Sequence, residues 1–176
     1  NAVPYARSTL ARLRPILDSE VFYKYRSPLT IALGRDVSGQ AVIADLARMP
    51  HLLIAGTTGS GKSICIAALT TCLAMNNTPE DLRLVMVDPK MVELVRFNGL
   101  PHLYGKVETS LERILGVLRW TVAEMDRRYK LLETSRSRNI NTYNRKMRRR
   151  KGGEPLPHIV VMIDELADLM MSAPDQ

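Results

Sequence analysis

Residues 56 to 63 read Gly-Thr-Thr-Gly-Ser-Gly-Lys-Ser, a spacing set by the shape of a polyphosphate. Gly56, Gly59 and Gly61 let the backbone turn tightly and bring its N–H groups against phosphate oxygens. Lys62 then stands where its ammonium reaches the β- and γ-phosphates of a nucleoside triphosphate, and the Ser63 hydroxyl can ligate Mg²⁺. A second group of reactive residues closes an apolar run: His158-Ile159-Val160-Val161-Met162-Ile163 ends in Asp164-Glu165. Paired with a phosphate loop, such a strand delivers its aspartate to the Mg²⁺ shell, directly or through water. Glu165 follows, where it can orient or deprotonate an attacking water, which argues for ATP hydrolysis and not binding alone.

The neighbouring residues supply elements that hold these groups. His51-Leu52-Leu53-Ile54-Ala55 reads as a short buried strand, and Ile64-Cys65-Ile66-Ala67-Ala68-Leu69 continues from the loop as an apolar helix over about 62–75. Strand, glycine loop, helix is the arrangement in which the motif works, because the helix N-terminus adds partial positive charge beneath the phosphates. Leu29–Leu33 and Ala41–Ala44 are strand-like, with turn residues Asp36-Val37-Ser38-Gly39 between them, so a hairpin is expected. Leu82–Val87 reads as a further strand ending at Asp88-Pro89-Lys90, where the two charges could serve the site or merely cap the strand.

Pro4, Pro15 and Pro28 break the amino-terminal stretch, leaving one short helix over Arg7–Leu17. The longest expected helix is 110–134, opened by a Thr109/Glu112 capping box. Its apolar stripe runs through Leu111, Ile114, Leu115, Leu118, Val122, Met125, Tyr129 and Leu132 and reads as core packed on the sheet. Residues 135–157 read as a long polar loop.

Composition bounds the class. A chain of 176 residues with 45% hydrophobic and 24% charged residues is of globular type and long enough for one sizeable core. No apolar run approaches the roughly 20 residues that span a bilayer, and the start lacks a secretory pattern. Cys65 and Cys72 lie two helical turns apart, about 10 Å, too far for a disulfide. His51, His102 and His158 have no metal-ligand spacing. The net charge of +7 is concentrated: residues 127–151 carry eleven Lys/Arg against Glu133, leaving the rest of the chain at −3. Such a segment either faces a polyanion or is a solvated basic surface, and both readings stay open.

Longer stretches resemble the FtsK/SpoIIIE DNA translocases. They are Ser27-Pro28-Leu29-Thr30-Ile31-Ala32-Leu33-Gly34, Met49 to Ser63, Val87-Asp88-Pro89-Lys90-Met91, Asn98 to Leu103, Glu124 to Tyr129, Arg138 to Asn144 and Val161 to Met170. The resemblance runs in order over nearly the whole chain. It implies an α/β fold, a RecA-like P-loop NTPase core with a mainly parallel sheet, truncated after the Walker B strand. Residues 1–28 would be a leading linker and 29–176 a partial motor domain. Gly56, Thr57, Thr58, Gly59, Ser60, Gly61, Lys62 and Ser63 would bind the phosphates of ATP, Ser63 and Asp164 would hold Mg²⁺, and Glu165 would activate water. The family's partners would be double-stranded DNA and five further copies in a hexameric ring. The motor would act in the cytoplasm in chromosome segregation, with a membrane reached solely through a segment absent from this sequence. A strand that normally lies between the phosphate-loop strand and the Walker B strand comes later in such chains, so these residues alone are expected to be inactive. Two alternatives remain: a ring ATPase of conjugation or type VII secretion, and a nucleotide-gated scaffold without turnover.

Overall fold

Asp36-Val37-Ser38-Gly39 reverses the chain as its turn chemistry predicts. The Asp36 carboxylate accepts from the backbone N–H groups of Ser38 and Gln40 at 2.8 Å each. On either side lie β1 (Thr30–Arg35) and β2 (Ala41–Asp45), paired antiparallel with a register shift between Ala32 and Gly34. The computed structural model describes residues 12–57 and 59–172. Thr58 and the amino-terminal part of the expected Arg7–Leu17 helix lie outside the described residues. The chain divides into two compact units, Asn1–Thr78 and Pro79–Gln176.

In the first unit α1 (Arg14–Leu17) is a single turn, and α2 (Glu20–Lys24) follows after Ser19, whose hydroxyl accepts from the Phe22 N–H. Ile16, Leu17 and Phe22 share a core with Ala32 of β1 and Cys72. Cys72 belongs to α3 (Lys62–Asn76), which also buries Leu69 and Leu73. Cys72 is fully buried, and burial pushes its thiol above the ordinary range. Neither cysteine is bridged, as their spacing on α3 requires. The Asn77 side chain ends the helix, donating to the Leu73 and Pro28 carbonyls at 2.8 and 2.7 Å.

One expectation fails here. Residues 51–55 form no strand; the segment is irregular, and Leu53 is 81% exposed. A strand persists through the ladder on its flanks. Among the described residues none offers 51–55 a ladder, so an apolar run that reads as a buried strand stays irregular and largely exposed.

The second unit is built on a parallel pair. β3 (Leu82–Val87) and β4 (His158–Ile163) align from Leu82↔His158 to Val87↔Ile163. The other edge of β3 is also satisfied: Leu84 exchanges hydrogen bonds with His102 and Tyr104, and Met86 accepts from Glu108. With both edges bonded, β3 is the buried strand of this unit, and Leu82, Leu84, Met86 and Val87 are at most 2% exposed.

The long helix of the crossover between these strands departs from expectation twice. The helix α4 (Leu111–Thr134) starts one residue later than a Thr109 cap requires: Ser110 is its N-cap and makes no side-chain cap bond, so the capping box does not form. Its stripe is core over its first part. Ile114 is fully buried against Val87, with Val117 and Leu118 beside it, but Val122, Met125 and Tyr129 are 49–61% exposed. The helix outruns the surface it packs on.

The polar loop expected over 135–157 contains a helix, α5 (Ile140–Arg149). The Asn139 side chain caps it by accepting from the Thr142 N–H at 2.9 Å. Tyr143 anchors it, 7% exposed. Asn144 clips the segment before β4 by donating to the Leu156 carbonyl and accepting from the Leu156 N–H, both at 2.8 Å. Lys146 donates to the Ser135 and Arg136 carbonyls at the end of α4.

Glu124 locks α4 to the approach to β4. Its carboxylate accepts two bonds from Arg127 and one from Arg128, at 2.7–2.8 Å, and Arg128 also donates to the Pro157 carbonyl at 2.7 Å. Arg127 first, with Arg128 assisting, pulls the Glu124 carboxyl down to about 2. A carboxylate depressed on folding stabilises the fold above its unfolded pKa and loses that contribution as pH falls through the folded one. Glu124→Gln should therefore cost about 1–2 kcal/mol at pH 7, Arg127 being half exposed and screened. In urea titrations the gap from the parent should shrink as pH drops from about 4.5 towards 2. A gap independent of pH would show that Glu124 acts by shape alone.

Candidate nucleotide site

The phosphate loop needs a backbone that side chains would obstruct. Gly59 and Gly61 take φ of 81° and 96°, in the left-handed region. A Cβ on Gly56 would meet the Ser60 hydroxyl, which would have to turn away to admit it. The Ser60 N–H donates to the Thr57 carbonyl at 3.0 Å and closes the turn. Gly61 is then the N-cap of α3, and the Cys65 N–H reaches its carbonyl at 2.9 Å to start the helix. No side chain caps this N-terminus and no acid stands in the first turn, so the positive end of a 15-residue helix faces the loop. Lys62 and Ser63 are its first two residues, both half-buried.

The acids stand on the second unit. Asp164 follows the last residue of β4, and its N–H donates to the Val87 carbonyl at 3.0 Å, which extends the ladder by one bond and fixes the backbone. Its side chain is 7% exposed. Glu165 is half-buried and leads into α6 (Leu166–Ser172). Leu169 pins that short helix against Val87 and Ile114. The sequence-derived site residues therefore form two clusters, one on each compact unit.

Asp88 and Lys90 separate into different roles. Asp88 is fully buried, and one carboxylate oxygen accepts from the N–H groups of Glu93 and Leu94 at 3.0 and 2.8 Å. It is a cap that holds the loop after β3. Lys90 instead reaches the reactive acids: its ammonium lies 3.6 Å from Glu165 Oε2 and 3.4 Å from Asp168 Oδ2. Asp168 first, and Glu165 after it, raise the Lys90 ammonium above the usual lysine range. Sequence reasoning does not place Asp168 in this cluster, although its position three residues after Glu165 puts it on the same helical face.

Ser63 and Asp164 each offer a type of donor that Mg²⁺ accepts. A hydroxyl and a carboxylate are hard oxygen donors, and Mg²⁺ takes one or two such ligands with phosphates and waters, not a protein cage. No group of three or more His, Cys, Asp or Glu among the described residues could hold a metal ion. His102 is buried, with its carbonyl bonded to Leu84, and the His158 N–H bonds to Asp81. In the basic stretch, Arg127, Arg128, Lys146 and Arg148 are committed to Glu124, Pro157, the end of α4 and Asp81. No helix among the described residues is long and apolar enough to cross a membrane.

A glycine loop running into a helix, with a parallel strand pair ending in acids, defines an α/β domain of the P-loop NTPase class. Within that class the chain belongs to the FtsK/SpoIIIE family, whose model matches residues 12–176. A DNA translocase FtsK from Campylobacter jejuni subsp. jejuni serotype O:23/36 (strain 81-176) is 54% identical over 161 residues, 92% of this chain and 17% of that protein. The cytoplasmic domain of the Thermomonospora curvata type VII secretion ATPase EccC superposes with a TM-score of 0.74 at 26% identity, covering 96% of this chain and 22% of the other. The pCW3 conjugation coupling protein TcpA, in its monomer form with ATPγS, gives a TM-score of 0.71 at 32% identity, covering 90% and 42%. The chain thus spans 17–24% of the length of the curated relatives it matches.

The cap reading of Asp88 has a direct check. Asp88→Ala should leave one buried and one partly buried N–H group without an acceptor and lower stability by on the order of 2 kcal/mol. Nucleotide affinity, measured on the folded fraction, should not change; a selective loss of affinity would make Asp88 part of the binding site.

Proposed function

We propose that this chain is the phosphate-binding part of an ATP-driven double-stranded DNA translocase, working as a hexameric ring in chromosome segregation at cell division or sporulation. The observation that carries the reading is the glycine loop that runs into α3, with Gly59 and Gly61 in left-handed backbone and Lys62 and Ser63 opening a helix that no side chain caps. The name borne by a relative at 54% identity supports DNA as the substrate.

In this reading the loop N–H groups and Lys62 bind and orient the β- and γ-phosphates. Ser63 and Asp164 hold Mg²⁺, which when bound neutralises charge on the phosphates. Glu165 takes the proton of the attacking water. The Asp164 N–H is bonded to the Val87 carbonyl at the end of the β3–β4 ladder, and Glu165 directly precedes α6, which supports this reading. Attachment to a membrane would lie in other segments of the full-length protein.

A second reading keeps the ATPase and changes the cargo, since EccC and TcpA share the fold. Double-stranded DNA should stimulate ATP hydrolysis by the full-length protein; absence of stimulation would favour a secretion motor. Two substitutions test the site itself. Glu165→Gln should retain ATP binding and lower kcat by about 10²-fold or more. Lys62→Ala should weaken ATP binding itself. Undiminished turnover by Glu165→Gln would remove Glu165 from the mechanism and leave a binding module as the better account.

A further inference from the structure

Lys90 stands on a turn that leaves it little freedom. Pro89 fixes the backbone before it, and the Met91 N–H donates to the Asp88 carbonyl at 3.2 Å. Met91 takes φ 57°, a conformation that a non-glycine side chain adopts rarely and that here is held from both sides. The buried Asp88 carboxylate ties the same turn to Glu93 and Leu94. The lysine stem therefore leaves a rigid corner at the end of β3 and extends to the start of α6, beside the end of β4. There its ammonium lies between two carboxylates, 3.6 Å from Glu165 and 3.4 Å from Asp168.

These two carboxylates do not serve the same purpose. Glu165 is the group read above as the base, and a carboxylate paired with an ammonium is held in one pose. Asp168 lies one turn on along α6 and competes for the same cation. The ammonium is within ion-pair distance of both, so it keeps a partner in Asp168 if Glu165 turns away. We propose that Lys90 is a positioning residue that restrains Glu165 in the resting enzyme, with Asp168 as the acceptor that receives the lysine when Glu165 is released to act. The proposal rests on the reading of Glu165 as the base and adds a restraint on it. The pair is partly exposed, with Lys90 52% and Glu165 30% accessible at the side chain. An ion pair of that kind is weak, which suits a restraint that must be broken at each turnover.

The test is steady-state ATP hydrolysis by the full-length protein without DNA, with kcat and KM measured separately. Lys90→Met should raise basal kcat by a factor of about two to five, the worth of one partly exposed ion pair. Asp168→Asn leaves the lysine on Glu165 alone and should lower kcat by a similar factor. KM for ATP should stay constant in both, and Lys90→Arg, which keeps the charge, should fall well short of the rise given by Lys90→Met. Opposite signs for the two removals are the signature, because loss of fold or of packing would lower both. A change in the same direction, or none, would overturn the restraint while leaving Glu165 as base wherever Glu165→Gln is inactive. A fully active Glu165→Gln would overturn both.

Discussion

The parallel ladder between β3 and β4 is the constraint on which the second unit depends. It aligns the two strands residue for residue, from Leu82 with His158 to Val87 with Ile163. Parallel strands in register carry their carboxyl ends to the same edge, so Asp88 and Asp164 emerge as neighbours. They could both have been ligands or both caps. The connection after each strand divides them: the loop after Asp88 folds back and occupies one of its carboxylate oxygens, whereas α6 begins directly after Asp164 and Glu165. The chemistry of this edge is thus set by two short connections on an ordinary strand pair.

Local pattern makes much of this legible. The hairpin turn, α3, β3 and β4 each carry their own signal, whether turn residues, an apolar run of strand length or a loop motif with fixed spacing. α5 escapes such a reading because its ten residues hold only Ile140, Tyr143 and Met147 as apolar anchors among cations and amides. The three anchors keep helical spacing and Asn139 is a good cap, so the signal is present but weak against the charge. The strand expected at 51–55 fails for the opposite reason. Its residues are right for a strand, but a strand is a relation between two segments and its own residues do not supply the partner. The stripe of α4 shows a third case: periodicity predicts which face is apolar, not how far along the helix a covering surface extends.

The basic segment illustrates why charge counts need structure. Arg128 and Lys146 bind backbone carbonyls at the two points where the crossover must be pinned, and Arg127 and Arg148 pair with acids. Part of what reads as a polyanion-facing surface is internal fastening of a polar helix that buries little. Likewise Lys90, a lone cation after a strand, acquires meaning from Asp168, which is distant in sequence and visible as a partner only once α6 is in place.

The lysine-serine pair of the loop and the aspartate-glutamate pair after β4 must act on one magnesium nucleotide if the proposed function is right. A double-mutant cycle on ATPγS affinity in the presence of Mg²⁺, with Ser63→Ala, Asp164→Ala and the double variant of the full-length protein, tests it most directly. If both residues hold a single ion, the second substitution should cost far less in the background of the first, with a coupling of at least about 1 kcal/mol. Additive losses would mean that the two clusters do not share an ion, and would contradict the account.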